Sequence, residues 1–156
     1  MVPMQFRLAV EADAPSLVAL INAAFVVERF FIDADRVNLA EVQKRFVTGR
    51  LLLAEEAGAL VACVYLEPHG DCVYVGLLSV DPARQGQGIG SRLMTAAEDQ
   101  CRAEGARFMD LRIVNLRNEL RAFYNRQGYT ETGTSPFPPG QPTLLPCHFI
   151  HMSKPL

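Results

Sequence analysis

The chain has 156 residues, 49% of them hydrophobic and 21% charged, which suits one soluble domain with a core of its own spanning residues 1–156. Its 15 Lys and Arg against 17 Asp and Glu give a net charge of −2, so no cationic surplus is available to displace counterions and a nucleic-acid partner is not expected. Cys63, Cys72, Cys101 and Cys147 are widely spaced, with no CxxC pair and no matching histidine cluster, which points away from metal and redox sites and toward reduced thiols in a cytoplasmic setting.

The N-terminal "MVPMQFRLAVEAD" has no basic region leading into an apolar run, and "SLVALINAAFVV" at 16–27 is too short to span a bilayer, so no membrane partner is expected either. Within it, "QFRLAV" alternates like a strand. Asp13 then reads as the N-cap of a helix over 14–28, with Leu17, Leu20, Ile21, Ala24 and Phe25 along one stripe. "ERFFID" breaks that pattern, and a shorter helix follows over 38–48, stopping at Gly49. "RLLLAEE" and "LVACVYLEP" flank the turn signal "AGA" and predict a hairpin. "CVYVGLLSV" at 72–80 is a third strand, ended by Asp81-Pro82.

A helix over 89–104 comes next, carrying Ile89, Leu93, Ala96, Ala97 and Cys101 on its apolar side, with Gly105 as its stop. "RFMDLRIV" sets Met109, Leu111 and Ile113 on one face of a strand, and a helix over 118–127 ends at Gly128. "YTETGT" and "CHFIHMS" are the last two strands, separated by "SPFPPGQPTLLP", whose Pro and Gly predict a long exposed loop. The crossover through 89–104 makes the strands at 72–80 and 107–114 parallel, whereas the meander before them is antiparallel. The prediction is an α/β domain with a mixed, mostly antiparallel sheet and helices on its faces.

Between the third strand and its helix stands "SVDPARQGQGIGSRLM", with glycines at 86, 88 and 90. A dinucleotide GxGxxG would need glycine at 91, where serine stands, and a P-loop would need a lysine that 84–106 lacks. What the segment does offer is bare backbone entering a helix. Glycines let N–H groups turn toward a ligand, and the helix start adds unpaired N–H groups and about half a positive charge. That is an anion site needing no lysine.

"LLSVDPARQGQGIGSRLM" followed by "LRAFYNRQGY" resembles the GNAT superfamily of acetyl-CoA-dependent N-acetyltransferases. The first stretch is similar to its Q/R-x-x-G-x-G/A motif, and the second to its "FY…GY" helix and following strand. The resemblance implies that the CoA pyrophosphate sits on the backbone of Gln85, Gly86, Gln87, Gly88, Ile89, Gly90 and Ser91. It also implies that pantetheine lies along Leu78, Ser79 and Val80, where the parallel strands splay apart, because an open strand edge matches the amides of pantetheine. A homodimer is the assembly seen in many relatives.

The chemistry needs a neutral amine, a donor for the thioester oxygen and a proton for the departing thiolate. The backbone N–H of Leu78 or a neighbour suits the second task. The resemblance gives the third to Tyr124, whose phenol, near pKa 10, would donate uphill by about 2 kcal/mol to a thiolate resembling cysteine's. Many relatives carry asparagine where this chain has Arg117; Asn118, one place later, and Asn115, two places earlier, are the asparagines left to stand in for its pantetheine contact. Arg112, Arg117, Arg121 and Arg126 read as a solvated face.

No carboxylate stands on the strand at 72–80, which carries Tyr74 instead. Glu67, Asp71 and Glu28 are the alternative bases; an amine of low pKa could also lose its proton to water. His69, His148 and His151 have no assigned task. Phe30 and Phe31 either line an apolar acceptor pocket or staple their loop to the core, and Glu28, Phe31 and Tyr74 are the acceptor-side candidates. The expected activity is acetyl transfer from acetyl-CoA to a primary amine of a small molecule. The alternatives are a peptide or protein amine as acceptor, or a non-catalytic acyl-CoA-binding module.

Overall fold

Alternation, caps and turn chemistry place seven strands and four helices, and a computed structural model describes them over residues 3–156. In chain order they are β1 (Met4–Leu8), α1 (Ala14–Ala24), α2 (Leu39–Thr48), β2 (Arg50–Glu56), β3 (Ala59–His69) and β4 (Cys72–Val80). After these come α3 (Ile89–Ala103), β5 (Phe108–Val114), α4 (Asn118–Arg126), β6 (Thr130–Pro136) and β7 (His148–Pro155). The strands form one sheet in the order β1-β2-β3-β4-β5-β7-β6. Only β4 and β5 run parallel; every other neighbouring pair is antiparallel. The last strand thus inserts between β5 and β6, an order that local patterns do not specify.

Each face of the sheet buries its own core. On one face Ile89, Leu93, Met94 and Ala97 of α3 and Tyr124 of α4 pack on Val64, Val75, Met109 and Ile113. On the other, Leu17 and Ile21 of α1 and Val42 of α2 cover Leu51, Leu53, Cys63 and Tyr65. Asn38 caps α2 by accepting from the Glu41 amide, and the Glu41 carboxylate accepts from the Asn38 amide in return. Asp13 does not cap α1. Its carboxylate accepts from the Val10 amide at 2.8 Å and pairs with Arg7 at 2.9 Å. The stretch expected to be one helix to residue 28 tightens at Phe25–Glu28 into a 3-10 turn, which swings Glu28 inward.

β4 changes face halfway along. Gly76 pairs with Tyr65 and Ser79 with Cys63, so Leu77 and Leu78 both stand opposite Val64 in a bulge, and Leu77 takes a φ of 55°. Before the bulge Val73 and Val75 point to the α3 side; after it Leu77 joins the α1–α2 core, while Leu78 and Val80 pack on the α3 side.

Gly49 lies where α2 turns into β2, and a Cβ there would stand 2.3 Å from the Leu66 carbonyl oxygen. Gly49→Ala must therefore move backbone rather than a side-chain tip. It is expected to destabilise the protein by about 1–3 kcal/mol, read as a fall in the urea midpoint; an unshifted midpoint contradicts this packing.

Candidate active site

β4 and β5 stay hydrogen-bonded only over Cys72–Tyr74 against Phe108–Asp110, and beyond that register the two parallel strands part. Their outer edges remain paired, β4 with β3 as far as Val80 and β5 with β7 as far as Val114. What opens between them is a cleft of about 740 Å³, lined from Tyr74 to Val80 on one side and from Leu111 to Val114 on the other. This volume lies within the usual range of ligand sites. The inner edge of β4 there leaves backbone groups without a strand partner.

The glycine loop forms one end of the cleft, through Gln85, Gly86, Gly88, Ile89, Gly90 and Ser91. Gly86 and Gly88 adopt φ of 82° and 75°, left-handed values that L side chains rarely adopt. Gly88 is the N-cap of α3 and supplies no side chain. The first intrahelical bond runs from the Arg92 amide to the Gly88 carbonyl, so the amides of Ile89, Gly90 and Ser91 have no carbonyl four residues back to bond. Gln87 is exposed and off the lining. The Ser91 hydroxyl accepts from the Gln127 side chain at 2.9 Å, which ties α3 to the end of α4 and leaves the backbone as Ser91's contribution.

Leu78 and Val80 line the cleft, whereas the Ser79 hydroxyl is buried on the other face and donates to the Leu77 carbonyl at 2.8 Å. The bulge is the reason, and Gly76 inside an apolar strand was the signal that could have predicted it. Tyr124 lines the middle of the cleft. It is 6% exposed, sits edge-on to Phe123 and Tyr129, and its hydroxyl has no hydrogen-bond partner among the described residues. Burial pushes its phenol well above the usual value, while Arg117 pulls it down and Tyr74 adds to the rise. It therefore keeps its proton at neutral pH. Beneath it Tyr129 donates to Glu98, which also accepts from Lys154, each at 2.8 Å.

Arg117 is not on a solvated face. Its side chain is 12% exposed and pairs with Glu28 at 2.7 Å and with Glu119, all three lining the cleft. Asn118, by contrast, is exposed and off the lining, and Asn115 accepts from the His148 amide. Burial raises the Glu28 carboxyl above its ordinary value, with Arg117 as the main opposing influence. The other two candidate carboxylates lie elsewhere: Glu67 accepts from Tyr65 and contacts His69, and Asp71 is exposed in the β3–β4 turn. His151 is bonded to Ser135.

Tyr74 lines the cleft, but Phe31 is fully buried and off it. Phe31 staples: its carbonyl accepts from the Leu144 amide at 2.7 Å, which draws the Pro-rich loop onto the "ERFFID" segment. Phe137 and Phe149, with ring centres 5.0 Å apart, wall that end. The four cysteines are free, and no cluster of three metal-ligating side chains exists among the described residues. Nor is any helix among them long and apolar enough to cross a membrane.

A parted parallel pair, a helix start with open amides and a phenol between them define the acetyl-CoA-dependent acetyltransferase class. The family model described as "Acetyltransferase (GNAT) family" matches residues 15–129, and the chain belongs to that family, which generally uses acetyl-CoA. It is 32% identical over 109 residues to an IAA acetyltransferase from Azospirillum brasilense, covering 69% of this chain and 68% of that one. It is also 32% identical over 143 residues to a mycothiol acetyltransferase from Propionibacterium freudenreichii, covering 83% of this chain but only 45% of the relative, so this chain spans under half of that protein. The fold matches the ribosomal-protein-alanine N-acetyltransferase structure from Brucella melitensis with a TM-score of 0.80 at 22% identity, over 97% of this chain and 99% of that one.

Removing Arg117 would leave Glu28 buried without its counter-charge. Because the folded carboxyl already titrates above its unfolded value, its contribution to stability is full at acidic pH and is lost as pH rises through the folded pKa. Arg117→Gln should enlarge that loss, to about 3 kcal/mol at neutral pH. Urea midpoints of variant and parent should therefore converge at acidic pH and diverge above it; a pH-independent gap contradicts the pairing.

Proposed function

We propose that the protein transfers the acetyl group of acetyl-CoA to a primary amine of a small molecule, by direct attack of the amine on the thioester. The observation that carries this reading is one continuous cleft joining the open amides of the glycine loop, the unpaired edge of β4 and the Tyr124 phenol. Acetyl-CoA supplies the activated acyl group. The residues present fit it: backbone amides from Gln85 to Ser91 suit a diphosphate, and the bare edge at Leu78–Val80 suits a chain containing amides.

Each reacting atom then has a counterpart in the chain. A backbone N–H at the Leu77–Leu78 bulge is the donor for the thioester oxygen, since the bulge releases it from regular pairing. Tyr124 gives its proton to the leaving thiolate and regains one from the amine side by way of solvent, so CoA leaves as a thiol and the product is an amide. Glu28 is the carboxylate in reach of the acceptor end. Its raised pKa suits proton acceptance, but its bond to Arg117 also makes it the residue that fixes the floor of the cleft. Phe137, Pro138 and Gln141 of the Pro-rich loop line the cleft, and the Leu144–Phe31 bond ties that loop down, which favours a small acceptor over a protein amine.

The test is a panel of amines with acetyl-CoA, reading free thiol. Turnover supports the reading; CoA binding without turnover on any amine would leave an acyl-CoA-binding module. Tyr124→Phe should lower kcat about a hundredfold with the KM for acetyl-CoA little changed. Undiminished turnover removes the acid assignment. Gly88→Val has open space for its side chain, so only the left-handed φ is disturbed, at about 1–2 kcal/mol. Calorimetry should show CoA binding weakened about tenfold.

A further inference from the structure

Six arginines contribute to the cleft lining, against Glu28, Asp35 and Glu119 as its only carboxylates. Those three acids are already engaged, Glu28 and Glu119 by Arg117 and Asp35 by Arg29 at 2.8 Å. Arg84 is bound to Glu56, and Arg126 belongs to the last turn of α4. What remains on the α1–α2 side is Arg36, Arg45 and Arg112, none of them within 4.0 Å of a carboxylate among the described residues.

These guanidiniums are held by aromatic rings rather than by acids. Arg36 lies 5.3 Å from the Phe25 ring centre, Arg45 4.8 Å from that of Tyr65, and Arg112 4.2 Å from that of Phe149. Stacking fixes the plane of a guanidinium and leaves its N–H edge free for a planar anion. Arg36 and Arg45 are close enough to oppose each other's charge: burial lowers the Arg36 pKa first, Glu28 counteracts it, and Arg45 adds to the lowering. Glu67 also senses Arg45, but its oxygens are taken by Tyr65 and His69. Glu28 acts on Arg36 only from a distance, so two like charges face one compartment with no carboxylate in contact, and the field there stays positive.

We propose that Arg36 and Arg45 are specificity residues that bind an oxyanion on the acceptor, so that the small amine carries its own carboxylate or phosphonate beside an apolar body. This rests on the acetyltransferase reading above and narrows its substrate class. Ile32, Phe137 and Phe149 line the same cleft and offer the apolar body its contact. A plain amine leaves both cations unsatisfied, and a polyamine adds to the repulsion. Peptide amines are disfavoured for the same reason, unless the peptide is short enough to bring its own carboxylate to Arg36 and Arg45.

The probes are phenylalanine, its aminophosphonate analogue and 2-phenylethylamine, with saturating acetyl-CoA. The parent protein is expected to prefer the two anionic probes by kcat/KM, and their ratio tells carboxylate from phosphonate. Arg36→Gln and Arg45→Gln should each reduce the preference for phenylalanine over 2-phenylethylamine about tenfold or more, through KM rather than kcat, as loss of a charge-assisted hydrogen bond does. The uncharged amine serves as the folding control. Equal use of the uncharged amine by the parent protein, or a preference unmoved in both variants, overturns the proposal. Should no amine be acetylated, the transferase reading fails by itself. Calorimetry of phenylalanine binding to the CoA-loaded protein then decides the anion site: binding weakened in both variants sustains it, and no binding to the parent protein overturns it.

Discussion

Everything in this molecule depends on two parallel strands that stop bonding to each other after three residue pairs. A sheet interior normally satisfies every backbone N–H and C=O, and leaving a row of them open inside a fold is costly unless water or a ligand takes their place. Here the cost is confined to one edge of each strand. β4 keeps β3, and β5 keeps β7 along its whole length, so both strands stay rigid while the space between them is free. α3 begins directly at the open end, with Val80 and Phe123 near Gly90, so the helix start and the strand edge act as one surface.

The bulge at Leu77 serves the same constraint. By admitting one extra residue it reverses which side chains of β4 meet which core, so Leu78 and Val80 face the cleft side and Ser79 is buried against the other. Without that reversal, a strand with regular alternation would send Leu78 and Val80 toward α1 and α2. The local strain of a positive φ at a leucine is held by packing, since Leu77 is 5% exposed among α1–α2 core residues.

Charge in the cleft is held in two ways. Arg117 meets Glu28 and Glu119, and its charge opposes the desolvation that raises the Glu28 carboxyl. Arg36, Arg45 and Arg112 instead rest on aromatic rings, with no carboxylate in contact among the described residues. Tyr124 is the buried side chain of α4, where low polarity keeps its proton on and Arg117 moderates the effect. Beside the cleft, the Leu144 amide meets the Phe31 carbonyl, a contact between distant segments that only folding could bring together.

The sequence by itself determined the elements, the single parallel crossover and the glycine loop, because periodicity, caps and turn residues act over a few positions. It also placed Tyr124 on the helix that follows, through its likeness to a known motif. The strand order β5-β7-β6, the bulge, the burial of Arg117 and the off-cleft positions of Phe31 and Asn118 were decided by tertiary structure alone. Each of those depends on partners tens of residues away: Glu28 draws in Arg117 across 89 positions, and no local pattern encodes that attraction. An arginine looks the same in sequence whether water or a buried carboxylate awaits it, and only the packed fold supplies one or the other.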